Sequence, residues 1–285
     1  MCGITGYFSS RQLDGTAMVR SLQHRGPNDQ GQFEKTISEK MLFLGHTRLS
    51  ILDLSERGHQ PMSDRSGRYT IVYNGEVYNF RSLHKWQLSD MTLRSGSDTE
   101  VLLEMWSQMG VSALHHLNGA FAFALFDAED NRLFLVRDRV GIKPFYFFFQ
   151  DGELVFGSEI KAILAGGISA ELDDDQLQAF FAFKYSPKNA TLFRGVRRLS
   201  PGCYMELDLR SGEMKTIRYW SPKVIDELAD LDYPTAKTEL FHRMSKAVNA
   251  RLIADVPVSN FLSGGVDSSI IAWHLRNEKH IKHYC

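Results

Sequence analysis

Short runs of β-branched and aromatic residues, punctuated by Gly and Asn, dominate residues 1–220. They predict strands at Cys2–Phe8, Met41–Leu44, Tyr69–Tyr73, Ala120–Asp127, Arg132–Arg137, Phe145–Gln150 and Glu153–Gly157. Two of the intervals between them are hairpin-sized. Ala128–Asn131 joins one pair, and Asp151-Gly152, a dipeptide suited to a type I′ turn, joins another. Helical spacing of apolar positions marks Thr16–Gln23, Thr99–Met109, Ile160–Ala165 and Leu177–Phe183. The last follows Asp173-Asp174-Asp175, whose negative charge suits a helix N-terminus.

The texture changes after Trp220. Residues 221–233 form a polar connector containing Pro222, which sets the expected domains at 1–220 and 234–285. Pro234 opens a helical stretch running through Ala254, and Val256–Leu262 is apolar enough for a buried strand. That strand runs into the Gly-rich loop Ser263–Ser269 and then the apolar helix Ile270–Arg276. Strand, Gly-rich loop and helix in that order open a parallel α/β domain. The roughly 50 residues after the connector are too few to close such a core. This part is therefore expected to be an incomplete domain, with the apolar faces of Ile270–Arg276 uncovered and another strand beginning near Tyr284.

Composition narrows the class. A length of 285 residues suits two domains, and a formal charge of −1 argues against a nucleic-acid binder. With 43% hydrophobic residues, the chain can bury a substantial core. Cys2, Cys203 and Cys285 are an odd set without a CxxC pair. They build neither a disulfide framework nor a zinc ribbon, so a reducing compartment is expected. No run approaches the ~18 apolar residues of a membrane span. The opening residues lack a basic region followed by an apolar one, which leaves a cytoplasmic location as the expectation.

Cys2 is the first candidate for chemistry. Removal of Met1 would put its thiol and a free α-amine on one carbon. An amine of ordinary pKa about 7.7–8.0 is a usable base at neutral pH, so an N-terminal nucleophile needs no histidine beside it. Taken alone, a cysteine at position two is as readily a small apolar residue. Behind it, however, come His24-Arg25-Gly26-Pro27, Gly45-His46-Thr47-Arg48-Leu49-Ser50-Ile51, Tyr73-Asn74-Gly75-Glu76-Val77-Tyr78-Asn79, Ser97-Asp98-Thr99-Glu100, Gly119-Ala120-Phe121-Ala122-Phe123 and Arg137-Asp138-Arg139.

In that order, and across about residues 2–210, this series resembles the class II glutamine amidotransferase domain of the N-terminal-nucleophile hydrolases. The resemblance implies an α+β fold, a four-layer αββα sandwich, in which Cys2 attacks glutamine and no cofactor takes part. It implies that Asn74 and Gly75 donate to the tetrahedral oxyanion, with the glycine letting the backbone approach the substrate. By the same likeness Arg48 binds the α-carboxylate, along with the segment Leu49, Ser50, Ile51 and Leu52, while Asp98 meets the α-ammonium with Glu76 close by. Singly, each has a plainer reading: Asn74-Gly75 is also an ideal hairpin turn, and Arg48 with Asp98 could be a surface ion pair. Arg25, Asp138 and Arg139 are assigned to loop scaffolding, and His24 and His46 to structure.

Ser263-Gly264-Gly265-Val266-Asp267-Ser268 lacks the Lys of a Walker A loop. It resembles the pyrophosphate loop of ATP pyrophosphatases, with its N–H groups and helix dipole cradling phosphate. That likeness puts Leu262, Ser263, Gly264, Gly265, Asp267 and Ser268 around ATP and Asp267 near Mg²⁺. The two motifs in one chain are similar to the glutamine-hydrolysing asparagine synthetase family, in which ammonia released at the N-terminal site amidates adenylated aspartate. Glutamine, ATP and aspartate are then the small-molecule partners, without nucleic acid or membrane, and a homodimer is left open. The alternatives are a relative amidating another carboxylate, such as a sugar acid, and a non-catalytic glutamine-sensing module. Two departures from the family pattern are visible, Asn28 after Pro27 and Ser200 ahead of Pro201-Gly202; neither falls on the proposed nucleophile or oxyanion donors.

Overall fold

The computed structural model describes residues 1–285, Glu227 in its backbone alone. The chain forms two compact units: Met1–Ser50 with Ser55–Ser221, and Ile51–Leu54 with Pro222–Cys285.

The first unit starts with β1 (Gly3–Ser9), α1 (Gly15–Ser21), β2 (Asp29–Ile37), β3 (Lys40–Arg48), β4 (Met62–Ser63) and β5 (Tyr69–Val77). Helices α2 (Phe80–Gln87) and α3 (Asp98–Met109) follow, then β6 (Gly119–Asp127), β7 (Arg132–Arg137), β8 (Tyr146–Gln150) and β9 (Glu153–Gly157). It ends with α4 (Ile160–Ala165), α5 (Asp174–Phe183), β10 (Val196–Arg198), β11 (Cys203–Asp208) and β12 (Met214–Arg218). The strands make two six-stranded sheets, ordered β10-β8-β9-β1-β3-β2 and β12-β11-β7-β6-β5-β4, with every neighbouring pair antiparallel.

Alternation along each strand decides what fills the space between the sheets. Ile4 and Phe8 of β1, Leu42 and Leu44 of β3 and Phe156 of β9 meet Val72 of β5, Ala122, Ala124 and Phe126 of β6 and Leu135 of β7 in one buried cluster. The opposite face of the first sheet presents Tyr7, Phe43 and Val155 to Met18 and Val19 of α1 and Ile163 of α4. On the outer face of the second sheet, Trp106 of α3 packs edge-on against Phe123 and Phe134, with ring centroids 5.8 and 5.1 Å apart. Helix, sheet, sheet, helix is thus the αββα sandwich expected from the sequence.

Asp151 (φ 53°) and Gly152 (φ 72°) both take the left-handed conformation a type I′ turn demands. Asp173 caps α5, its carboxylate accepting from the Gln176 N–H. Asn74-Gly75 is not a turn. Both residues lie inside β5, paired with Ala122 and Phe121 of β6.

The second unit holds α6 (Tyr233–Ala250), β13 (Ser259–Phe261), α7 (Val266–His274) and β14 (Lys282–Tyr284), with β13 and β14 parallel. The buried strand expected over Val256–Leu262 is only these three residues, and Phe261 is 83% exposed. Two strands carry too little neighbouring structure to cover both faces of a parallel pair. The uncovered apolar character expected over Ile270–Arg276 is present at Ile271 and Trp273, and Val266 at the start of α7 is exposed as well.

Candidate functional site

Cys2 immediately precedes β1, at the end of the sheet where β3 closes on Leu49. Its Sγ accepts from the Leu49 N–H at 3.4 Å and faces the Leu49 carbonyl at 3.6 Å. Arg25 fixes its backbone: Nε donates to the Cys2 carbonyl at 2.9 Å and Nη1 to Glu159 at 2.9 Å. Burial works against the Glu159 carboxylate, but hydrogen bonds from Arg25, His24 and Lys161 hold it down at about 2. Arg25 therefore has a permanent anionic partner. Burial pushes the Cys2 thiol up, and nearby Asp98 adds to this, while the Leu49 N–H, the chain-terminal amine and Lys143 pull it back. Burial lowers the chain-terminal amine.

β5 carries Asn74, Gly75 and Glu76. Val72 belongs to the core between the sheets, so by the strand period of two Asn74 and Glu76 project on that same face. Asn74 is 1% exposed, yet neither its Nδ2 nor its Oδ1 has a hydrogen-bond partner among the described residues. Such an orphaned amide costs about 1–3 kcal/mol per unsatisfied group. Gly75 has a reason the sequence did not show: a Cβ there would lie 2.6 Å from Phe121 Cα and against the Ala120 carbonyl of β6. The glycine is required by the neighbouring strand, whatever approaches from the other side.

Beyond Ile71, β4 has ended and the outer edge of β5 has no strand beside it. Side chains take over there. Gln60 Oε1 accepts from the Tyr73 N–H at 2.7 Å, His46 Nε2 donates to the Tyr73 carbonyl at 3.1 Å, and Asp98 Oδ2 accepts from the Val77 N–H at 2.8 Å. The antiparallel alternation turns the Gly75 N–H to this same edge, between the other two. Burial holds His46 neutral, at about 3, in keeping with a structural role.

Arg48 and Asp98 are not a surface pair, being 6% and 4% exposed. Arg48 donates to the Ser55 carbonyl at 2.7 Å and lies flat against Gly58, where a Cβ would overlap its guanidinium. Asp98 opens α3, and Oδ2 also accepts from the Tyr73 hydroxyl at 2.8 Å. Burial raises Asp98 in spite of these donors, and burial with Asp98 as neighbour raises Glu76. Ser50 donates its N–H to Asn28 at 3.0 Å. Ile51 and Leu52 fall in the second unit, where the Ile51 carbonyl accepts from the Asp255 N–H at 2.9 Å. The structure therefore brings Cys2 and Leu49 together and joins Asp98 to β5, but Ile51 bonds to Asp255 and Leu52 falls with it in the second unit.

Lys143 was not anticipated. Its loop is held rigidly: the fully buried Asp138 carboxylate accepts from the N–H groups of Phe121, Val140, Ile142 and Lys143, and Arg137 donates to the Gly141, Lys143 and Leu199 carbonyls. Burial lowers the Lys143 ammonium, while Glu76 and Cys2 raise it. A single lysine in Gly141-Ile142-Lys143-Pro144 carries no pattern that could have marked it. Arg139, donating to the His115 carbonyl at 2.8 Å, serves loop structure.

In the second unit, the Leu262 N–H donates to the Tyr284 carbonyl at 2.7 Å, leading into the Gly-rich loop. Gly264 is left-handed (φ 80°) with open space around it, and Gly265 caps α7 without a side-chain bond. Ser268 and Ser269 turn their hydroxyls back to the Gly265 carbonyl at 3.1 and 2.8 Å, and Ser263 meets Ser268 at 3.1 Å. The first N–H groups of α7 are thus free of side-chain caps. Among the described residues no group of three or more His, Cys, Asp or Glu could hold a metal ion.

A family model for the glutamine amidotransferase domain matches residues 1–220. The chain belongs to the glutamine amidotransferase family. Residues 239–285 match a second model, for asparagine synthase. The chain is 35% identical to the putative glutamine-hydrolysing asparagine synthetase 2 of Methanocaldococcus jannaschii, over 97% of this chain and 57% of that protein. With asparagine synthetase 3 of Bacillus subtilis it shares 37% identity over 95% of this chain and 44% of that one. The chain thus spans about half the length of these relatives. In fold it is similar to glutamine phosphoribosylpyrophosphate amidotransferase from B. subtilis, with a TM-score of 0.57 at 18% identity, covering 99% of this chain and 65% of that one. No helix among the described residues is long and apolar enough to cross a membrane.

Proposed function

We propose that the first unit hydrolyses glutamine to glutamate and ammonia, and that the ammonia amidates a carboxylate activated by ATP. The observation that carries the first step is the Asn74 amide, buried on the inner face of β5 with both polar atoms unpartnered among the described residues. A folded chain keeps such a group where a ligand atom completes its bonding.

In this reading Met1 is removed and Cys2 gains an α-amine in the desolvated setting that already lowers the terminal amine. The neutral amine takes the thiol proton as Sγ attacks the side-chain carbonyl of glutamine. Negative charge develops on the carbonyl oxygen, where Asn74 Nδ2 and the Gly75 N–H donate. The amine returns the proton to nitrogen, ammonia leaves, and water hydrolyses the thioester. Arg48 binds the α-carboxylate beside Leu49 and Ser50, while Asp98 and Glu76 receive the α-ammonium. Ile51 and Leu52 complete that segment by resemblance alone.

ATP would lie on the Leu262–Ser268 loop, its phosphates on the uncapped N–H groups of α7, with Asp267 the residue that would hold Mg²⁺ there. Mg²⁺ would neutralise charge on the phosphates as the adenylate forms. Aspartate is the acceptor suggested by the names of the relatives. The domains then run 1–220 for the glutaminase and 234–285 for the part matching asparagine synthase, with 221–233 between them. Glutamate release from glutamine by the chain freed of Met1, and none after Cys2→Ala, is the expected result. Equal release by Cys2→Ala would overturn the proposal.

A further inference from the structure

Tyr73 stands between the two ends of the proposed glutamine site, and its bonds reach both. Its side chain is on the opposite face of β5 from Asn74 and is 2% exposed. The hydroxyl donates to Asp98 Oδ2 at 2.8 Å, the same oxygen that takes the Val77 N–H at 2.8 Å. Two donors converging on one carboxylate oxygen leave Asp98 little freedom to rotate. The Tyr73 main chain is also gripped outside the sheet ladder, by Gln60 on the N–H and His46 on the carbonyl. That carbonyl belongs to the peptide whose nitrogen is Asn74. Gln60 is itself braced, Nε2 donating to Thr99 Oγ1 at 3.4 Å, one residue past Asp98.

We infer that Tyr73 is a positioning residue that couples ammonium recognition to the oxyanion donors: its hydroxyl sets Asp98, and its clamped peptide sets Asn74. The inference rests on the glutaminase reading and adds to it a division of labour. The hydroxyl acts on substrate binding, and the Gln60 clamp acts on the chemical step. Tyr73 is well suited to be a permanent donor, since burial and the adjoining Asp98 push its hydroxyl well above the ordinary tyrosine range.

The test compares Tyr73→Phe and Gln60→Leu with the parent chain in glutamine hydrolysis, and measures Cys2 modification by a diazoketone analogue of glutamine and by iodoacetamide. For Tyr73→Phe the loss of one charge-assisted hydrogen bond should raise KM about tenfold and slow the diazoketone to the same degree. The iodoacetamide rate, which needs no ammonium site, should stay within about twofold on the same reasoning. Preference for the diazoketone over its desamino counterpart should fall in parallel. Gln60→Leu should instead lower kcat with KM little changed. If both variants move the same parameter, or Tyr73→Phe slows both reagents equally, the inference is wrong and Tyr73 only supports packing. A parent chain that reacts with iodoacetamide but not with the diazoketone would overturn the glutaminase reading, and this inference with it.

Discussion

Replacing Asn74 with leucine separates a functional amide from a structural one. The side chains are similar in volume, so packing between the sheets is largely kept, while both orphaned polar atoms are removed. In most buried positions, losing an amide that holds partners costs about 1–3 kcal/mol. Here no described partner is left behind, so stability should stay level or rise. For a unit of this size each kcal/mol moves Tm by about 2–4 °C. Catalysis should move the other way. One oxyanion donor contributes about 2.7–4 kcal/mol, which is about 10²–10³ in kcat. Thermal melts followed by circular dichroism, beside glutamate release measured with a coupled dehydrogenase, read both effects. A variant that melts several degrees lower while keeping its turnover would refute the reasoning, because the amide would then be structural.

Further outcomes follow from the same geometry. Burial lowers the Met1 amine and raises the Cys2 thiol next to it, so the Cys2 amine freed by removal of Met1 is expected to be lowered by the same burial. As it must be neutral to accept the thiol proton, the acid limb of kcat/KM should lie below the ordinary amine value of about 7.7–8.0, and a limb above 8 in a pH–rate profile would contradict this. Glu159 falls to about 2 when folded, so its contribution is present above its unfolded value near 4.5 and is lost as pH drops from there towards 2. Glu159→Gln should flatten that part of the acid-unfolding curve by no more than about 1 kcal/mol, since the group is partly exposed. By loosening Arg25 it should also slow Cys2 modification. Gly264→Val, at a left-handed position, should weaken nucleotide binding in a fluorescent-ATP titration and leave glutamine hydrolysis intact.

Much of the sandwich was legible because its strands alternate or are uniformly apolar. Helix Ile160–Ala165 lies at its expected bounds, and the Asp151-Gly152 turn takes the backbone its residues favour. Strand β2 was not legible: Gln30, Gln32, Glu34 and Thr36 line its open face, and the other face mixes Phe33 and Ile37 with Asp29, Gly31 and Lys35. Helix α2 was hidden for a similar reason, burying only Phe80 and Leu83. In the site, motif order pointed to Cys2, Arg48, Asn74 and Asp98. It named Tyr73 only as part of a motif, without a role, and did not reveal Gln60 or Lys143, because their placement depends on where β4 stops and on how Asp138 folds its loop. Asn74-Gly75 shows the limit of local signals, since the dipeptide that favours a turn sits here in mid-strand.

The account turns on the sulfur of Cys2 being the atom that attacks glutamine. Intact-protein mass spectrometry after incubation with the diazoketone analogue, followed by peptide mapping, addresses this directly. The expected spectrum shows a chain lacking Met1 and carrying a single adduct on Cys2, blocked by excess glutamine. An unmodified Cys2, or an adduct on Cys203 or Cys285 with glutamine hydrolysis unaffected, would contradict it.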